Sequence, residues 1–158
     1  DYQPAEGTSS LFGGNSNWRG PVWIPMNYLL VNALQQYCDY YKEDFKAAFP
    51  SGSGNEMLLG DISVEIAKRL VSTFQLNKDG HRPVNDDYAI YRDDPNFKDL
   101  VLFYEYFHGD TARGVGASHQ TGWTGVVAEL INRISRPHTQ TLSKREGGQA
   151  ALQISTVE

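Results

Sequence analysis

The clearest pattern of apolar and polar positions is a helical one in the first third of the chain. Apolar residues recur three or four positions apart over residues 26–41, at positions 26, 29, 30, 33, 34, 37, 40 and 41. This spacing places them along one side of an α-helix, and Pro25 suits the first turn because its missing N–H would be unpaired there. The pattern predicts an amphipathic helix of about four turns.

Two more helices are predicted further along. The first covers about residues 57–75, where large apolar side chains recur at four-residue intervals and Asp61 is the expected N-cap. The second covers about residues 121–134, with several aliphatic side chains on one face. It is expected to end at Arg136, because a residue before proline disfavours helical geometry.

The segments between these helices are long. Residues 1–23, 49–55 and 77–99 are rich in Gly, Pro, Ser, Asn and Asp, which are typical of loops. Residues 100–107 form an apolar run that is too short to distinguish a buried strand from a buried helical turn.

The predicted fold class is therefore all-α. Three helices are few for 158 residues, so we expect a piece of a larger helical structure rather than a complete bundle. Residues 137–158 contain few large apolar side chains, and we expect them to be a disordered tail that follows a domain of residues 1–136.

The charge balance excludes several classes of partner. The chain carries 14 basic and 19 acidic residues, which argues against a nucleic acid or an anionic membrane surface. Its longest apolar stretches, of about five residues, are far shorter than the roughly 20 that a membrane-spanning helix needs. The first residues, DYQPAEG, show no signal-peptide pattern, so a cytoplasmic protein is expected.

Aromatic residues are abundant. They make up 12% of the chain, and several lie beside glycine and polar residues instead of at helical core spacing. A pyranose ring has an apolar face and a polar rim, so flat apolar side chains next to hydrogen-bonding groups are typical of a sugar site. Core packing is the alternative, and composition alone favours it.

The first candidate motif is GGNSNWRGPVW at residues 13–23. Trp18 and Trp23 flank Arg19 just before the first predicted helix. An indole ring can stack on a sugar face, and Arg19 can make paired hydrogen bonds to hydroxyls or orient a carboxylate. The alternative is a packed turn in which both tryptophans cover the start of the helix.

The second motif is FYEYFHG at residues 103–109, where Glu105 lies among four aromatic residues. A single carboxylate among aromatic side chains suits the role of a general base, which accepts a proton from a bound water. The alternative is a structural ion pair with Arg19, Arg92 or Arg113.

The third motif is GVGASHQTGWT at residues 114–124, in which Trp123 offers an aromatic platform and His119 a hydrogen-bonding side chain. Neither His108 nor His119 has a Cys or Glu partner at a metal-binding spacing, and Cys38 is the single cysteine. We therefore expect no disulfide within the chain, no metal site and no cofactor.

Together these motifs resemble the C-terminal part of bacterial members of glycoside hydrolase family 63, the group of processing α-glucosidase I and related α-glycosidases. The resemblance covers roughly residues 1–134. It is carried by GGNSNWRGPVWIPMNYLL at 13–30, LFYEYFHGD at 102–110 and GASHQTGWTGVVAELI at 116–131.

The resemblance implies an (α/α)6 toroid of six helical hairpins with the active site at one end. It also implies an inverting mechanism with an Asp general acid and a Glu general base, and Glu105 stands where the family has its base. Trp18 and Trp23 correspond to residues that line the sugar pocket in relatives. Trp123 is expected to complete the pocket wall, and Arg19 and His119 are expected to hydrogen-bond the sugar or orient the base.

The segment that carries the general-acid Asp has no counterpart in this chain, and Asp110 has no support from the family for that role. We therefore expect a fragment that is inactive alone, with two partners: the missing N-terminal part of the barrel and an oligosaccharide or small glycoside. The competing interpretation is a non-catalytic helical piece that binds carbohydrate or another protein.

Overall fold

The computed structural model describes residues 2–7, 19–86 and 88–135, so the predicted tail at 137–158 lies outside the described residues. In chain order the elements are α1 (Ile24–Tyr41), β1 (Lys46–Ala48), β2 (Glu56–Leu58), α2 (Leu59–Ser72), a 3₁₀ turn (Pro83–Asn85), α3 (Ala89–Asp93), β3 (Tyr106–Phe107), β4 (Gly114–Val115), α4 (Thr121–Thr124) and α5 (Val127–Ser135). Over these residues, no helix has the length and hydropathy needed to cross a membrane.

The structure is mostly helical, as expected, and contains two small sheets that the all-α prediction did not include. β1 pairs with β2 and β3 pairs with β4, forming two small antiparallel sheets. The first sheet is a hairpin that connects α1 to α2. The second resolves the ambiguous run at 100–107, whose last two residues form β3 because Tyr and Phe fit a pleated, half-buried surface.

The first predicted helix is confirmed, with Pro25 in its first turn. Trp23 precedes it in an extended conformation, and its carbonyl oxygen accepts bonds from the backbone and side-chain amides of Asn27, at 3.1 and 2.9 Å. The helix ends where Lys42 adopts a positive φ of 54°. The Lys42 N–H donates to the Cys38 carbonyl oxygen at 2.8 Å, which satisfies one of the last free carbonyls.

The other two helices are confirmed with different boundaries. α2 begins directly after β2 with Leu58 as its N-cap, so the assignment of Asp61 as the N-cap is wrong. Asp61 instead lies in the first turn, where its charge is favourable at the positive end of the helix dipole. The predicted helix at 121–134 is divided into α4 and α5 at Gly125, a residue of low helix propensity.

The main core lies where α1, α2 and α5 pack together. Side chains from the loops and from β3 complete it. Its buried members are Ile24, Val31, Ala67, Leu70, Val71, Phe74, Val84, Tyr104, Phe107, Val127 and Leu130. Tyr104 and Phe107 flank Glu105 on both sides in sequence, so this core fixes the backbone that carries the candidate catalytic residue.

The apolar stripe that predicts α1 lies mostly at the surface. Its exposed large members are Met26, Leu29, Leu30, Tyr37, Tyr40 and Tyr41. The residues of α1 that are buried are Ile24 and Val31, which lie outside that stripe. α1 is therefore apolar on two sides and not amphipathic as expected, and a helix of that kind is typical of the interior of a larger structure.

Candidate active site

The described parts of the three sequence motifs meet in one place in the folded chain. Val22, just before α1, exchanges two backbone hydrogen bonds with Phe107, at 2.8 and 2.9 Å. Phe107 also pairs with Gly114 of β4. Because β3 is paired with both segments, residues 19–23 of the tryptophan motif lie side by side with the Glu105 motif and the glycine-containing motif.

Glu105 immediately precedes β3, and its side chain is half-buried. Its N–H donates to the Ala117 carbonyl oxygen at 2.9 Å. The Ala117 N–H donates in turn to Oε2 of Glu105 through a long hydrogen bond of 3.4 Å. The side chain and the main chain of Glu105 are thus both tied to the same residue.

The ion-pair alternative for Glu105 finds no support in the part of the chain that the structure describes. Among those residues, the salt bridges do not include Glu105. Arg92 pairs with Asp93 at 2.8 Å, and Arg113 donates to the hydroxyl of Tyr88 at 3.4 Å. The carboxylate of Glu105 therefore keeps lone pairs that can accept a hydrogen bond from water.

The start of α4 holds the segment 103–105, which ends at Glu105. Three consecutive carbonyl oxygens, those of residues 103–105, each accept a hydrogen bond from this helix or the residue before it. The donors are the Gln120 N–H to Phe103 at 2.8 Å, the Thr124 hydroxyl to Tyr104, and the indole N–H of Trp123 to Glu105 at 3.2 Å. Because three successive carbonyl groups are held in this way, the backbone of Glu105 has little freedom to shift.

Trp23 and Trp123 belong to one small apolar cluster beside Glu105. The cluster contains Trp23, Tyr106 and Val115, with Trp123 and Ala5 packed against it. The rings of Trp23 and Tyr106 lie 4.7 Å apart between centroids. Trp23 is only 7% exposed, so within the described residues it covers the start of α1, which agrees with the packing alternative for this residue.

The remaining predicted site residues are less constrained. Arg19 and His119 are both exposed. The backbone of His119 forms an isolated bridge with Phe103, which places His119 beside the segment that leads to Glu105. Trp18 lies outside the described residues.

Tyr104 and Gly114 are part of the site's support, and the sequence motifs gave no role to either. The Tyr104 ring stacks on Tyr88 with centroids 5.8 Å apart, and a Cβ on Gly114 would lie 2.2 Å from the Tyr104 ring. Burial raises the pKa of Tyr104 to about 12, with smaller contributions from Tyr88 and Tyr91 that raise it and from Arg113 that lowers it. In the sequence, the run of aromatic residues at 103–107 was the feature that could have predicted this packing.

A separate cavity of about 170 Å³ lies beside the 3₁₀ turn, where Arg82, Asn85, Tyr91 and Lys98 are among its lining residues. Its volume is below the roughly 300–1,000 Å³ that is usual for ligand pockets. Among the described residues, none of the predicted site residues lines it. Over the same residues, no group of three His, Cys, Asp or Glu side chains could hold a metal ion.

The sequence comparisons identify a class of protein that agrees with the motifs. Residues 8–82 match the family model described as the glycosyl hydrolase family 63 C-terminal domain. That segment includes the tryptophan motif, α1 and α2. The predicted family therefore has support from this segment, which is just under half of the chain, whereas the bacterial subgroup stays a prediction because the relatives reported below are from yeasts.

Three curated proteins are similar over most of the chain. The uncharacterized protein YMR196W of Saccharomyces cerevisiae is 45% identical over 135 residues, which is 84% of this chain and 12% of that protein. The mannosyl-oligosaccharide glucosidase of the same yeast is 29% identical over 77% of this chain and 12% of its own length. The probable mannosyl-oligosaccharide glucosidase of Schizosaccharomyces pombe is 24% identical over 75% of this chain and 11% of its own length.

The chain thus spans only about one-eighth of the curated relatives it matches. No solved structure matches it.

Proposed function

We propose that this chain is the C-terminal portion of an inverting α-glycosidase in which Glu105 is the general base. The family match and the likeness to two mannosyl-oligosaccharide glucosidases support a glycoside hydrolase. The observation that carries the role of Glu105 is its half-buried carboxylate, which is held beside Ala117 and forms no ion pair among the described residues.

The proposed chemistry requires two carboxyl groups on opposite sides of the sugar. An acid donates a proton to the leaving glycosidic oxygen, and a base removes a proton from the water that attacks the opposite face of the ring. In inverting enzymes these groups are about 6.5–9.5 Å apart, which leaves room for the water. We assign the base to Glu105 and the acid to an Asp in the preceding part of the protein.

Asp110 does not suit the role of the acid. It lies in the turn between β3 and β4, five residues beyond Glu105, and its Oδ1 accepts a hydrogen bond from the Tyr2 hydroxyl at 2.9 Å. That turn lies at one end of the β3–β4 hairpin, whereas Glu105 and its hydrogen-bond partner Ala117 lie beyond the other end. Asp110 is therefore useful as a control carboxylate rather than as a catalytic one.

The two apolar sides of α1 support the proposal of a larger helical barrel. One side packs against α2 and α5 through Ile24 and Val31, and the other presents large apolar side chains to solvent. In an (α/α)6 toroid, each helix contacts neighbours on both sides. We propose that preceding helices of the same protein cover the exposed side of α1.

The proposed substrate is an oligosaccharide or a small α-glucoside. We assign Trp18 and Trp123 to the walls of its pocket, the buried Trp23 to the packing that supports them, and Arg19 and His119 to hydrogen bonds with the sugar. Support for Trp123 comes from its indole N–H, which donates to the Glu105 carbonyl oxygen at 3.2 Å and so places the ring beside the proposed base.

The test is a comparison of two substitutions in the full-length protein that contains this segment. Glu105→Gln keeps the shape of the side chain but removes the base, so kcat for an aryl α-glucoside should fall by about two to four orders of magnitude. Asp110→Asn, the matched control, should retain kcat within about a factor of two. Near-normal turnover by Glu105→Gln would place the base elsewhere.

A further inference from the structure

The segment opposite Glu105 contains an irregularity. β3 and β4 pair Tyr106 with Val115, a register that would place Glu105 opposite Gly116. The N–H of Glu105 instead donates to the carbonyl oxygen of Ala117, at 2.9 Å. The pairing thus shifts by one residue just beyond the ends of β3 and β4, at Gly116.

Gly116 lies at this shift in pairing, and glycine is required there for two reasons. Its φ is +75°, in the left-handed region that side chains with a Cβ rarely adopt. A Cβ on Gly116 would also lie 2.7 Å from Cε1 of Tyr106, 2.9 Å from Oε2 of Glu105 and 3.1 Å from Cβ of Glu105. Two of these three contacts are with the proposed base itself.

We infer that Gly116 is a positioning residue for the Glu105 carboxylate. The shift in pairing at Gly116 lets the Ala117 N–H donate to Oε2 of Glu105, and the missing side chain at Gly116 leaves the space that the carboxylate occupies. This inference rests on the proposed function, since it matters for catalysis only if Glu105 is the base.

The test is Gly116→Ala in the full-length protein, with Gly80→Ala as the matched control. Gly80 has the same φ of +75°, but a Cβ there meets nothing within 4 Å, so the control carries the same backbone strain without the contact. Because a displacement of about 1 Å can cost 10²-fold in rate, kcat per folded molecule of Gly116→Ala should fall about 10- to 100-fold. KM should change less than threefold, and Gly80→Ala should keep both constants within about a factor of two.

A double variant separates positioning from a general structural defect. If Gly116 acts through Glu105, then adding Gly116→Ala to Glu105→Gln should lower kcat by less than about threefold further. A full additional 10- to 100-fold loss in that background would overturn the inference, as would unchanged kcat per folded molecule in Gly116→Ala alone. If Glu105→Gln itself keeps normal activity, the proposed function has failed instead.

A second pair of variants keeps the inference testable if Gly116→Ala folds poorly. Asn tolerates positive φ better than Ala but still has a Cβ, so Gly116→Asn relieves the strain and keeps the contact with Glu105. Gly116→Asn should show the same loss of kcat, and Gly80→Asn should not. Equal activity of these two variants would contradict the positioning role.

Discussion

The exposed apolar side of α1 leads to the most informative prediction about the fold. Leu29 is 59% exposed, and full burial of a leucine stabilises a protein by about 1.5–3 kcal/mol. If the rest of the barrel covers this side chain, Leu29→Glu removes about 1–2 kcal/mol of apolar burial. The substitution also places a charge in the contact, so the total loss in the full-length protein should be about 3 kcal/mol or more.

The same substitution should have the opposite effect on the isolated 158-residue chain. The wild-type chain should elute from a sizing column as oligomer or aggregate, because its exposed apolar side has no cover, and it should hydrolyse aryl α-glucosides no faster than buffer. Leu29→Glu should shift elution toward monomer. Lys68→Glu on the exposed side of α2 is the control and should alter neither elution nor full-length stability much.

The assays are thermal unfolding of the full-length variants and light scattering coupled to size exclusion for the isolated ones. The reasoning is refuted if Leu29→Glu changes the stability of the full-length protein by less than about 0.5 kcal/mol, the range usual for exposed sites. A monomeric wild-type chain with measurable turnover would also refute it, and would show that the fragment is complete in itself.

Three other predictions follow from the packing around Glu105, all for the full-length protein. Trp23→Ala should lower the free energy of unfolding by about 3–5 kcal/mol because Trp23 is 7% exposed, and unchanged stability with weakened sugar binding would contradict this. Thr124→Val should cost about 1–3 kcal/mol in urea unfolding, because the buried Tyr104 carbonyl loses its hydroxyl donor. Burial raises the pKa of Tyr104 to about 12 from 10.0. The contribution of Tyr104 to the free energy of unfolding is therefore fully present below pH 10. It falls between pH 10 and 12, because there the tyrosine ionises in the unfolded chain but not in the folded one. Tyr104→Phe should reduce that fall, and an identical pH dependence in both proteins would count against it.

Local patterns were sufficient for part of this architecture. The three-to-four-residue spacing in 26–41 locates α1, because a helix of this length repeats its pattern several times. The aromatic surroundings of Glu105 likewise singled out that carboxylate from the sequence. The same periodicity gave the wrong face, however, since it cannot show which of two apolar sides of α1 meets α2.

The features that hold Glu105 depend on contacts between distant residues. The indole N–H of Trp123 reaches a carbonyl oxygen 18 positions earlier in the chain, so the spacing of the motifs gave no sign of this bond. The role of Gly116 depends on the pairing of β3 with β4, which is only two residues long in each strand. Asp61 resembled an N-cap in sequence, yet the chain enters α2 directly from β2 and uses Leu58 instead.

The central claim is that this chain supplies one of the two carboxylates of an inverting active site. The most direct measurement is the distance between the Glu105 carboxyl group and the nearest Asp carboxyl across the pocket, in a crystal structure of the full-length protein with a bound sugar. We predict about 6.5–9.5 Å, with a water on Glu105 facing the anomeric carbon. A separation of about 5–5.5 Å would indicate a retaining enzyme, and a Glu105 carboxylate turned away from the sugar would contradict its role as the base.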